Sequence, residues 1–148
     1  MQAPNPILQS GTAVRALVVD DDALVRDVIA TLLRRRGMEV CEVSSVSAAW
    51  SALETQSFDV LVSDLEMPEL DGYDLIARVR SSSLDRVRNL PAVAVTGRCS
   101  SSDREQLLAF GFDAYLGKPF GSEALVDTVR GVVGTKCDSE SRHANCSR

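Results

Sequence analysis

Five short, largely apolar stretches punctuate this chain: Val14–Val19, Met38–Val43, Phe58–Ser63, Leu90–Val95 and Asp113–Leu116. Between them apolar residues recur every three or four positions, the spacing that collects them on one face of a helix. Leu24, Val25, Val28, Ile29, Leu32 and Leu33 define such a face over Ala23–Arg36, and Tyr73, Leu75, Ile76 and Val79 define another over Gly72–Ser81. A shorter helix fits Val46–Glu54, and a last one fits Ser122–Val133. Ser102 and Glu105 have capping-box spacing, which opens a helix that stops at Gly111. The first helix carries its own stop. Arg34, Arg35 and Arg36 set cations against the negative end of the helix dipole, and Gly37 follows them.

Strands that alternate with helices and read as continuous apolar runs predict a parallel sheet covered on both faces. The fold expected is therefore α/β, a doubly wound five-stranded sheet with right-handed crossovers. All its strands then direct their carboxyl ends to one edge. A length of 148 residues suits one domain, which the pattern confines to residues 14–134. Residues 1–13 and 135–148 are polar and predict flexible segments.

That edge collects chemistry from positions about a hundred residues apart. Asp20, Asp21 and Asp22 follow the first strand, Asp64 the third, Thr96 and Gly97 end the fourth, and Lys118-Pro119 follow the fifth. Ligands of open α/β sheets bind at this rim, where the strand order reverses. Two carboxylates about 4 Å apart repel by roughly 4 kcal/mol at an effective dielectric of about 20. A hard divalent cation offsets that repulsion, and magnesium in particular takes one or two carboxylates and leaves positions for phosphate oxygens. Asp64 is then a candidate nucleophile, because aspartate forms acyl phosphates. Lys118 would balance the added charge, and the Thr96 hydroxyl would bond a phosphoryl oxygen.

Composition narrows the partners. A net charge of −5 argues against a nucleic-acid surface. No run of 18 apolar residues suggests a membrane span, and the N-terminus lacks a signal-peptide pattern, so the cytoplasm is the expected location. Cys41, Cys99, Cys137 and Cys146 match no metal-binding spacing, and Cys41 reads as a small core residue. Trp50 reads as half-buried packing, His143 as a solvated side chain, and Asp22 as a helix N-cap.

Asp20-Asp21, Asp64 within Asp-Leu-Glu-Met-Pro-Glu-Leu-Asp-Gly72, Thr96-Gly97 and Lys118-Pro119-Phe120 together resemble the receiver domain of two-component response regulators, over roughly residues 14–134. The resemblance implies a flavodoxin-like (βα)5 fold with strand order 2-1-3-4-5. It implies a phosphoacceptor switch in which Asp64 takes a phosphoryl group from a histidine kinase or histidine phosphotransfer protein. Asp21, Asp64 and the Glu66 backbone carbonyl would ligate Mg2+, with Asp20 acting through water. Thr96 and Tyr115 would form the switch pair, and the Lys118-Pro119 bond would be cis. Glu66 and Arg98 occupy the positions that tune phosphate lifetime. The face built by the Ser102–Gly111 helix, the fifth strand and the last helix would meet a downstream protein, and the triple arginine lies on the helix where kinases commonly dock. Both a free-standing regulator and a receiver taken from a hybrid histidine kinase fit these residues. A haloacid-dehalogenase-like phosphatase, with Asp20 as nucleophile and Asp22 as acid, is a minor alternative.

Overall fold

The computed structural model describes residues 13–67, 70–97 and 101–144. Five parallel strands, β1 (Arg15–Val19), β2 (Glu39–Val43), β3 (Val60–Asp64), β4 (Ala92–Thr96) and β5 (Ala114–Gly117), form one sheet in the order β2-β1-β3-β4-β5. This is the expected topology. Helices α1 (Ala23–Arg34) and α6 (Ser122–Ala144) cover one face; α2 (Val46–Thr55), α3 (Gly72–Arg80), α4 (Asp85–Arg88) and α5 (Ser101–Phe110) belong to the other. Strand alternation separates the two cores. Ala16, Val18, Val60, Val62, Val93, Val95 and Leu116 pack with Ile29 and Leu33 of α1 and Leu125, Val126 and Val129 of α6. Leu17, Val19, Leu61, Ala92 and Ala94 pack with Leu53, Leu75, Ile76, Val79 and Leu107.

Local chemistry closes the helices. Asp22 caps α1 by accepting from the Leu24 and Val25 N–H groups. Beyond its C-terminus Gly37 takes φ 86°, a conformation that costs a side-chain-bearing residue energy, and two bonds satisfy the last carbonyls, Gly37 N–H to Arg34 and Met38 N–H to Leu33. The same pair of bonds closes α5, from Gly111 to Leu108 and from Phe112 to Leu107. Helix α2 has no such glycine. Arg86 of α4 substitutes for it, donating to the Leu53, Glu54 and Gln56 carbonyls.

Four features differ from the sequence reading. Helix α4, a single turn, has no periodicity to reveal it. Strands β3 and β4 run one residue further, so Asp64 and Thr96 are their last members; Asp64 still pairs with Val95 across the ladder. Helix α5 begins at Ser101, so Ser102 lies inside its first turn. The last helix continues to Ala144, past its expected end at Val133. Residues 135–144 contain neither Pro nor Gly. Polarity by itself does not break a helix. The expected flexible segment 1–13 falls, except for Ala13, outside the described residues, as do Arg98, Cys99 and Cys146. Among the described residues no helix is long and apolar enough to cross a membrane.

Candidate functional site

Sheet register assembles the site. Val19 pairs with Ser63, so Asp20 emerges beside Asp64. Asp64 pairs with Val95, and Thr96 stands one residue beyond it. Thr96 pairs with Gly117, and Lys118 follows. The four strand ends thus form a staircase across β1, β3, β4 and β5. The turn after β5 contains the expected cis Lys118-Pro119 bond.

Three carboxylates, from Asp20, Asp21 and Asp64, place one oxygen each within 4.8 Å of one another. Asp20 is 1% exposed and Asp64 6%, whereas Asp21 faces solvent. Lys118 Nζ lies 3.2 Å from Asp64 Oδ1 and 3.7 Å from Asp20 Oδ2. Asp20 Oδ1 accepts from the Asp22 N–H at 2.9 Å, but Oδ2 is buried and has no hydrogen-bond partner. A buried acceptor left unsatisfied costs about 1–3 kcal/mol. Its oxygen character, the two neighbouring carboxylates and the partial exposure of the cluster suit a hard cation that retains waters.

The electrostatics follow from burial. Desolvation raises the Asp20 carboxyl above its ordinary range; the Asp22 N–H opposes this, Asp64 and Asp21 add repulsion and Lys118 subtracts from it. Asp64 is raised in the same way, against the attraction and hydrogen bond of Lys118 and the Glu66 N–H. For Lys118 burial pulls downward, but attraction to Asp20 and Asp64 outweighs it and the ammonium is raised. The lysine therefore stays charged across neutral pH.

Thr96 lies on the other side of β4, in the alternation of Ala92 and Ala94, and lines a groove of about 430 Å³ with Glu66, Tyr73, Leu107 and Phe110. Tyr115 pairs with Ala94 and so shares that face, one pleat below Thr96. It is half-buried, with the Arg104 guanidinium 5.4 Å from its ring centroid. Glu66 is exposed at the mouth; its companion Arg98 lies outside the described residues. Asp22 stays at the helix cap, its Oδ1 accepting from the Leu24 and Val25 N–H groups.

Two supports were not read from the sequence. The buried Ser63 hydroxyl donates to the Asp64 carbonyl at 2.9 Å. The Arg26 guanidinium donates to the Asp20 carbonyl at 2.7 Å. The available signal for Arg26 was a polar residue interrupting the buried side of α1, one position after Val25 and three before Ile29.

The model of the response regulator receiver domain matches residues 16–130. The chain is 34% identical over 124 residues to the chemotaxis protein CheY1 of Helicobacter pylori, covering 82% of this chain and 98% of that one. It is 34% identical to the sensor protein GacS of Pseudomonas syringae over 121 residues, 81% of this chain but 13% of that protein. Among solved structures, the receiver domain of the Pseudomonas aeruginosa sensor histidine kinase PA1611, which has a magnesium ion in its active-site cleft, matches with TM-score 0.75 and 30% identity over 83% of this chain and 99% of that one. The chain belongs to the response regulator receiver domain family and is a phosphoacceptor switch of two-component signalling, served by histidine kinases.

Close packing constrains the segment after β3. A Cβ added at Gly72 would lie 2.5 Å from the Asp64 carbonyl oxygen and 3.0 Å from Leu65 Cα, both backbone atoms that cannot swing away. Gly72→Ala is expected to displace the Asp64 backbone and to destabilise the fold by about 1–3 kcal/mol in urea denaturation.

Proposed function

We propose that Asp64 is the phosphoacceptor. Its carboxylate attacks the phosphorus of a phosphohistidine on a histidine kinase or histidine phosphotransfer protein. The P–O bond forms as the P–N bond breaks, and the departing imidazole takes up a proton. Asp21, Asp64 and the Glu66 carbonyl, with Asp20 through water, would hold Mg2+, which supplies positive charge against the carboxylates and the phosphoryl oxygens. Lys118 gives a second, fixed cation beside the acceptor oxygen. Thr96 bonds a phosphoryl oxygen once the acyl phosphate exists, and Tyr115 turns inward beneath it, altering the face of α5, β5 and α6 that a downstream protein reads. Glu66 tunes the survival of the acyl phosphate. The chain acts in the cytoplasm, as an acceptor and not as a turnover enzyme. The same chemistry serves a free-standing regulator or the receiver of a hybrid kinase.

The observation that supports this reading is the buried Asp20 Oδ2, which accepts no hydrogen bond, beside Asp64 and the Lys118 ammonium. Intact mass after incubation with acetyl phosphate tests it. One phosphoryl group is expected with Mg2+ and none with EDTA, and peptide mapping should place it on Asp64. An adduct on Asp20, or uptake indifferent to Mg2+, would overturn the proposal.

A further inference from the structure

We infer that Arg26 is a positioning residue for the divalent-cation site, holding the Asp20–Asp21 segment without touching any carboxylate of the cluster; this rests on the magnesium reading above.

Every polar atom of Asp20 except Oδ2 is tied down. Its N–H donates to Val43 of β2 at 3.2 Å, its Oδ1 accepts from Asp22, and its carbonyl accepts from Arg26 Nη1 at 2.7 Å. Arg26 is itself anchored. Its Nε lies 3.6 Å from Glu42 Oε1 on β2, while Glu42 Oε2 takes Arg34 Nη1 at 3.0 Å and Arg34 Nη2 donates to the Val40 carbonyl. Arg26 and Glu42 are both mostly buried, with side chains 20% and 26% exposed. A guanidinium presents donors on separate nitrogens of a rigid fork and so reaches two widely placed oxygens at once, whereas an ammonium carries its donors on one atom. The result is a brace from α1 across β2 to the end of β1, at the residue from which the acid cluster departs. Groups that orient ligands in this way strongly affect metal affinity although they never meet the ion.

Charge and position act in opposite directions here, which makes the inference testable. A bare cation near the cluster repels Mg2+, so if Arg26 acted only through its charge, its removal would tighten binding. If it positions Asp20, removal weakens binding. The measurement is Mg2+ affinity by isothermal titration calorimetry, with Mn2+ binding by electron paramagnetic resonance as a second readout and melting in EDTA as the check on folding. Arg26→Met is expected to bind Mg2+ about tenfold more weakly, and Arg26→Lys, with one ammonium for two oxygens, to fall between it and the native chain. Native or tighter affinity in Arg26→Met overturns the inference. Should Arg26→Met fail to fold, Arg26→Lys decides: weakened binding upholds the positioning role, and native affinity overturns it. A native chain that binds no divalent cation removes the magnesium reading and this inference together. Native binding with unaltered variants removes this inference alone.

Discussion

Asp64→Asn is expected to take up no phosphoryl group and, in EDTA at neutral pH, to melt higher than the native chain. The first result follows from the loss of the nucleophile. The second follows from what the site costs. Burial holds the Asp64 carboxyl above its ordinary value of 3.8, so folding at neutral pH forces a charge into surroundings that disfavour it. An amide of the same shape escapes this, although it also gives up the attraction of Lys118. The raised titration says that the unfavourable contributions win. The gain is read as a higher melting temperature; in a domain of this size about 1 kcal/mol corresponds to roughly 3 °C.

The sign with pH is fixed. A raised folded-state carboxyl binds protons more readily than its unfolded counterpart, so the native chain recovers stability as pH falls through the folded titration toward 3.8. The advantage of Asp64→Asn therefore shrinks on acidification, and melting curves from pH 7 to 4 would reveal it. Asp20 is raised too and behaves in the same sense. Lys118 does not disturb this window. Its raised titration keeps its contribution complete below 10.5 and removes it only above. An Asp64→Asn chain that melted lower at pH 7 would show that the lysine contact outweighs burial.

Arg80→Ala is expected to have the largest effect on stability, about 3 kcal/mol or more in urea denaturation. The Arg80 guanidinium donates to the carbonyls of Gly111, Arg88 and Leu90 and to Asp113 Oδ2, at 2.7–3.0 Å. That carboxylate oxygen also accepts from the Ala92 N–H at 2.8 Å. One side chain therefore joins the end of α3 to the entries of β4 and β5. Its removal strips partners from three carbonyls and one carboxylate that are partly shielded from water. Arg80→Lys should recover only part of the loss, because one ammonium cannot span four acceptors. The brace lies at the amino edge of the strands, opposite the site. Folded Arg80→Lys should thus accept phosphoryl groups at the native rate, and a slowed rate would contradict that separation.

The residues that carry the fold and the site were largely legible in advance, for a definite reason. Apolar runs placed Asp20, Asp64, Thr96 and Lys118 at strand ends, and a parallel sheet leaves its strand ends only one edge to share. The register then adds alignment that no single residue announces. Arg26, Arg80 and Arg86 were not legible in these roles. Each reaches backbone carbonyls, in the case of Arg86 up to 33 residues away, and a carbonyl is present at every position and so leaves no mark in a sequence. Helix α4 escaped because a single turn is too short to show a period. The continuation of α6 escaped because polarity was read as disorder, although a polar run without Pro or Gly can remain helical.

That continuation has a mechanical consequence. Helix α6 spans 23 residues, and Val132 is the last buried one among those whose side chains are described. At 1.5 Å per residue the helix is about 34 Å long, so a tilt of roughly 10° at its first turn carries the far end about 6 Å. Its first turn begins four residues after Lys118. By this geometry a sub-ångström shift at the first turn of α6 would become a displacement at its far end comparable to the pitch of a helix.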